Sequence, residues 1–151
     1  MSNFSSAPER ISHAVAQLQA GGFVLVMDDA MTTPWGVMMC DASHADADAV
    51  NALCKYARGL VCVTLRPDAA ERLRLEPQND RGVGLVYLTS VEARVGVTTG
   101  ISAADRAATV AVCADPNATA DDLVAPGHLF PVQVEQNGVL SKRSVAEAVA
   151  D

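Results

Sequence analysis

Two short stretches of this chain hold the side chains best suited to chemistry: Val97-Thr98-Thr99-Gly100-Ile101-Ser102-Ala103-Ala104-Asp105-Arg106 and Pro126-Gly127-His128-Leu129-Phe130-Pro131. An imidazole such as that of His128 can move a proton on or off a carbon beside a carbonyl. A loop histidine bonded to backbone is the alternative reading. Thr98 and Thr99 precede a helix start, where hydroxyls and backbone N–H groups can face an oxyanion, although threonines are also ordinary in a turn before a cap. Arg106 can bind an anion and Asp105 can orient it. Ser102-Ala103-Ala104-Asp105 equally reads as a capping box, with Ser102 as N-cap.

Further candidates lie upstream. Asp28 and Asp29 are adjacent at a strand end, so they point to opposite faces and cannot share a proton; Asp28 acts as an acid or base only if burial raises its pKa. Cys62 is either a nucleophile or a buried apolar residue with no adjacent cation to activate it. Trp35, the only tryptophan, supplies a large apolar ring that can pack on a substrate. Cys40, Cys54, Cys62 and Cys113 form no CxxC pair and read as reduced thiols, so neither a zinc site nor a disulfide framework is expected.

The elements that must position these residues follow from spacing and punctuation. Pro8 to Ala20 reads as a helix with apolar Ile11, Ala14, Val15 and Leu18 on one face, capped by Ser5 or Ser6 and stopped by Gly21-Gly22. Phe23 to Met27 reads as a buried strand and Val37 to Cys40 as a second. Ser43-His44-Ala45-Asp46 reads as a capping box before a helix through Val50 and Leu53. Leu60 to Leu65, Leu85 to Leu88 and Val95 to Val97 read as strands, and Pro67 to Leu73 as a short helix. Ser102 to Ala114 reads as a helix, Thr119 to Asp122 as a helical turn, and Leu129 to Val134 with Val139-Leu140 as strands around Asn137-Gly138. Ser144 to Asp151 is a final helical segment, with Glu147 at the third position of a box begun by Ser144. Without a regular βαβ beat, repeat or linker, the expectation is α+β: a single mixed α/β domain over residues 1–151, a mixed sheet with packed helices.

Half of the 151 residues are apolar and only 4% are aromatic, so the core is built from Val, Ala, Leu and Met. A net charge of −7 without a basic cluster excludes a nucleic-acid surface. No apolar run approaches membrane-span length and the first residues lack a signal-peptide pattern, so a cytoplasmic protein without membrane contact is expected.

The two opening stretches resemble the signature of the 3,4-dihydroxy-2-butanone 4-phosphate synthase family, which turns ribulose 5-phosphate into a four-carbon phosphate and formate. The resemblance extends through Val24-Leu25-Val26-Met27-Asp28-Asp29, Gly59-Leu60-Val61-Cys62-Val63 and Arg66-Pro67-Asp68, from about Pro8 to Ala148. It implies the family's fold, a homodimer with the active site at the subunit interface, a place for His128 in that site, and positions for Asp105 and Arg106 near the phosphate.

Where the family has a loop reading roughly Arg-Glu-Asn-Glu-Gly-Asp, this chain has Thr32-Thr33-Pro34-Trp35-Gly36-Val37, with Thr33 at the metal-ligand glutamate. Where it has Thr-Arg-Gly-Gly-His-Thr-Glu-Ala, this chain has Ser141 to Ala148, with Val145 at the magnesium-binding histidine. The family's late catalytic glutamate lies beyond the position of Asp151. Magnesium wants hard oxygen ligands that these residues do not replace, so no metal and no cofactor is expected. The resulting expectation is a repurposed, metal-independent lyase, isomerase or cyclase of a specialised biosynthetic pathway, acting on a small, rather apolar carbonyl compound. In it His128 is the acid/base, with Asp28 and Cys62 as further catalytic candidates; Trp35, Thr98, Thr99, Asp105 and Arg106 bind substrate. The alternative is a non-catalytic homodimeric protein that binds a ligand or a partner.

Overall fold

Caps written into the sequence set where the helices begin. A computed structural model describes residues 6–28, 35–79, 84–142 and 144–150. Its elements run α1 (Ala7–Gln19), β1 (Val24–Asp28), β2 (Trp35–Met39), α2 (Ala47–Ala52), β3 (Cys62–Leu65), α3 (Pro67–Arg72), β4 (Val86–Tyr87), β5 (Val91–Ala93), α4 (Ala103–Ala114), β6 (Leu123–Gln133) and α5 (Val145–Ala150). Ser6 and Glu9 exchange capping bonds at α1, Pro67 opens α3, and Ser102 Oγ accepts the Asp105 N–H at α4. The expected box at Ser43 divides into two caps. Asp41 caps a 3₁₀ turn over Ala42–His44, and Asp46 caps α2 by accepting the Ala49 N–H at 2.8 Å. From α2 the chain passes into a π-helical turn, Leu53–Ala57, which ends at left-handed Arg58.

The eleven residues of β6 organise the main sheet. β3 runs parallel to β6, while β4 and β5 pair with it antiparallel, giving the expected mixed sheet. Leu129 of β6 is fully buried in one cluster with Leu73, Leu88, Val91, Val110 and Cys113, so α4, β5 and the chain just after α3 and β4 close around it. Hydrogen bonds from Arg72 to the Ala118 carbonyl and from Arg94 to the Asp121 and Leu123 carbonyls tie the connection after α4 to this sheet.

β1 and β2 form a separate antiparallel hairpin. Here the expected buried strand and packed helix are corrected. Leu25 is 70% exposed and Ile11 of α1 65% exposed, and α1 buries no residue, because the hairpin and α1 flank the sheet rather than enter its core. Two further expected strands are absent. Val95 to Val97 bends around left-handed Gly96, with Val95 exposed and Val97 half-buried, and the strand lies earlier, at β5. Val139-Leu140 belongs to a 3₁₀ turn over Gly138–Leu140, with Leu140 in solvent. Among the described residues no helix is long and apolar enough to cross a membrane.

Candidate functional site

β5 and β6 do not pair evenly. Val91 faces Leu129, yet the next residue, Glu92, faces Val124, so residues 125–128 of β6 form a bulge opposite the Val91–Glu92 step. This bulge is the Pro126-Gly127-His128 stretch, entered through a cis Ala125–Pro126 peptide. A bulge re-aims the side chains that follow it, and here it delivers His128, whose Nδ1 meets the Glu92 carboxylate. The backbone of Gly127 is pinned by Ser90, whose carbonyl accepts its N–H at 3.1 Å. A Cβ on Gly127 would stand 2.1 Å from the Val91 carbonyl carbon, so only glycine allows the bulge to lie so close across β5.

The other opening stretch meets the same carboxylate. A Cβ on left-handed Gly100 would fall 1.8 Å from Glu92 Oε1, so the Glu92 side chain passes between Gly100 and Gly127 to reach His128. Glu92 was not among the expected site residues. Its partner lies 36 positions away across an irregular register, which no local periodicity reveals. The signals that bear on it are an acid between two buried residues, Val91 and Ala93, and a glycine in each of the two stretches.

Asp105 builds the turn that holds Gly100. Its carboxylate accepts the Thr98 N–H at 3.1 Å, the Thr98 hydroxyl at 2.9 Å and the Gly100 N–H at 3.0 Å. The donors expected to face a bound oxyanion are therefore taken by the chain's own carboxylate, which corrects the substrate-binding role expected of Thr98. Thr99 is exposed beside it. Burial opposes ionisation of Asp105, but the Thr98 and Ser102 hydroxyls with the backbone N–H groups outweigh it and hold the carboxyl below its ordinary value of 3.8. Because the folded pKa is the lower one, the stabilisation is present above about pH 4 and is lost as pH falls through the folded value. An Asp105→Asn variant is expected to be uniformly less stable above pH 4 and to show a shallower acid-unfolding limb below it. Thermal melts across pH 2–7 check this; Asp41 and Asp122, lowered in the same way by their own caps, keep the limb from vanishing.

Arg106 turns away from this site. Its guanidinium donates to Cys54 Sγ at 3.1 Å, across α4 to the π-helical turn, and its Nε is buried without a partner. It therefore ties two helices together where an anion contact was expected.

A cleft of about 640 Å³ opens between β2, β3 and α5, lined by Trp35, Val37, Cys40, Cys62, Tyr87 and Val149. The Trp35 ring forms part of the cavity wall at the start of β2. Cys62 also faces it, and although part of the residue is solvent-accessible, the apolar walls push its thiol up to about 11. At neutral pH it is a thiol, without the activation a nucleophile needs. Asp28, the last residue of β1, pairs across the hairpin with Trp35 and does not line the cleft; Asp29 and Thr33 lie outside the described residues. Neither Glu92 nor His128 lines it, so the acid–base pair and the cleft are separate places on one chain.

The fold also tests the family's magnesium. Val145, at the histidine-ligand position, is a buried isopropyl group 5% exposed at the start of α5, with no lone pair to offer. Among the described residues no three His, Cys, Asp or Glu side chains gather as a metal site. Among the described residues the donor set does not fit the ion. The four cysteines are free thiols, and Glu147, capped by Ser144 and accepting the Glu135 N–H at 2.9 Å, is structural as expected.

The sequence model of the family described as 3,4-dihydroxy-2-butanone 4-phosphate synthase matches residues 12–151. A 3,4-dihydroxy-2-butanone 4-phosphate synthase of Pseudomonas syringae pv. tomato is 39% identical over 95% of this chain and 40% of its own length. One of Desulfovibrio desulfuricans is 37% identical over 98% of this chain and 68% of its own. The crystal structure of RibBX, a two-domain enzyme of that name from A. baumannii, superposes with a TM-score of 0.86 at 35% identity, covering 92% of this chain and 42% of that one. The chain thus spans less than half the length of the longer relatives it matches. These similarities correct one expectation. Relatives at this identity over nearly the whole chain carry the synthase name, which overturns the expected repurposed enzyme for an apolar carbonyl compound.

Proposed function

The chain belongs to the 3,4-dihydroxy-2-butanone 4-phosphate synthase family, and from that premise we propose that it carries out the proton-transfer chemistry of that synthase on ribulose 5-phosphate, with His128 as the acid–base residue. The observation that carries this reading is the Glu92–His128 pair, in which His128 comes from one of the two stretches that resemble the family's signature and Glu92, from β5, reaches it past Gly100 of the other. With Nδ1 engaged by Glu92, the other ring nitrogen, Nε2, is left to act, and the His128 side chain is 47% exposed, so a substrate can reach it. Ribulose 5-phosphate has weakly acidic hydrogens on the carbons flanking its ketone. A neutral imidazole at Nε2 can remove one to give an enediol and return it on another atom, the step that any later loss of formate requires. Overall, the five-carbon phosphate divides into formate and a four-carbon phosphate with no net gain or loss of water.

A homodimer and a cytoplasmic place of action belong to the same proposal. Dimerisation is supported by the separation of the acid–base pair from the cleft, because a second copy can bring the two together over one substrate; sedimentation at micromolar concentration is expected to show a dimer. The direct assay incubates the purified chain with ribulose 5-phosphate in deuterium oxide, with and without added magnesium. Incorporation of deuterium beside the carbonyl, followed by formate, is the expected result in both. Neither exchange nor formate at stoichiometric protein would sink the reading.

A further inference from the structure

We infer that Glu92 is a positioning residue for His128, fixing the imidazole proton on Nδ1 so that Nε2 presents its lone pair, and that Gly100 and Gly127 serve as the passage that lets its carboxylate reach the ring. The catalytic consequence rests on the reading given under Proposed function; the tautomer does not. Glu92 begins on β5 between two buried residues, and its side chain is 16% exposed, against 47% for its partner's ring. Added Cβ atoms would meet it on both sides, at 1.8 Å from Oε1 for Gly100 and at 2.5 Å from Cγ for Gly127.

A carboxylate–imidazole pair kept only for stability adds little and needs no cleared route. Here two glycines from distant parts of the chain give way to one carboxylate, and each is secured separately: Gly100 through its N–H on Asp105, Gly127 through its N–H on Ser90. Such double anchoring locks a rotamer and an orientation, which is what a base needs from the group behind it. The nitrogen that carries the proton is set by the bond made at the other one.

Nitrogen-15 NMR of the imidazole in the ligand-free protein reads this directly. The expected result is a neutral His128 ring protonated on Nδ1 in the parent, largely retained in Glu92→Gln, whose amide oxygen still accepts, and replaced by the Nε2-protonated form in Glu92→Ala. Deuterium incorporation into ribulose 5-phosphate is expected to fall on the order of 10–100-fold in Glu92→Ala, through kcat with KM little changed, and less in Glu92→Gln. An Nε2-protonated ring in the parent, or an unchanged tautomer in Glu92→Ala, overturns the inference. If Glu92→Ala does not fold, a Glu92→Gln protein whose ring has switched to the Nε2-protonated form while kcat stays equal to the parent's overturns the catalytic part, and the parent's own tautomer still decides the rest. A correct tautomer in a protein that exchanges nothing would instead refute the proposed function and leave the positioning intact.

Discussion

Replacing His128 with alanine is expected to lower deuterium exchange into ribulose 5-phosphate by on the order of 10²–10⁴-fold, the usual contribution of a positioned acid–base group. The melting temperature should hardly move, because the ring is half-exposed and makes no contribution to the core around Leu129. That separation of effects is what makes the variant informative. If exchange fell together with stability, the loss could come from a collapsed bulge; if exchange survived, another group would be taking the proton. Glutamine at the same position offers hydrogen bonding without useful basicity and is expected to behave as alanine does.

The second large effect is structural. Gly127→Ala puts a methyl group 2.1 Å from the Val91 carbonyl carbon, a contact that no rotamer can relieve because it is backbone against Cβ. The bulge must lift off β5, which frees the Gly127 N–H from Ser90 and withdraws His128 from Glu92. Overpacking costs about 1–3 kcal/mol, and a backbone contact this close belongs at the upper end, about 3 kcal/mol. For a domain of this size that corresponds to a fall of about 6–12 °C in melting temperature. Both scanning calorimetry and the exchange assay should register the change, whereas His128→Ala should register in the assay alone. A melting temperature within a degree or two of the parent would mean that the bulge accommodates a side chain and that the close approach is not required.

Much of this architecture was legible in local chemistry, and the failures have identifiable causes. Ser6 with Glu9, Pro67 and Ser102 each announce a helix start because a cap is decided by neighbours within one turn. Val95 to Val97 and Val139-Leu140 carry strand-like residues, but Gly96 and Gly138 adopt left-handed backbone there and turn the chain before a ladder can form. The apolar run at β1 suggested burial; which face of a hairpin meets solvent depends on what packs against it, and that is settled by α5, more than a hundred residues later. The same limit governed the site. His128 and Asp105 stood out by residue type, while the use of Asp105 to tie down Thr98 and Gly100 depends on how the turn before α4 closes, and the role of Glu92 depends on a contact made across a bulged register. The loop substitutions at Trp35 and Val37 were read as the mark of a new chemistry, and relatedness over nearly the full chain outweighed them.

Seen as a matter of tolerance to mutation, β6 divides the protein unevenly. One strand anchors β3, β4 and β5, fills the centre of the core with Leu129, and one residue earlier carries the imidazole. Drift in this strand is visible at once to folding and, on the proposed function, to proton transfer, so selection on either property restrains the other. The hairpin and α1 bear no such double duty: with little of their surface committed to the core, they can exchange acids for threonine, tryptophan or valine at small cost to the fold. That asymmetry gives a physical reason why the chain keeps its Pro126-Gly127-His128 corner while the loop leading into Trp35 has moved so far from the family's wording.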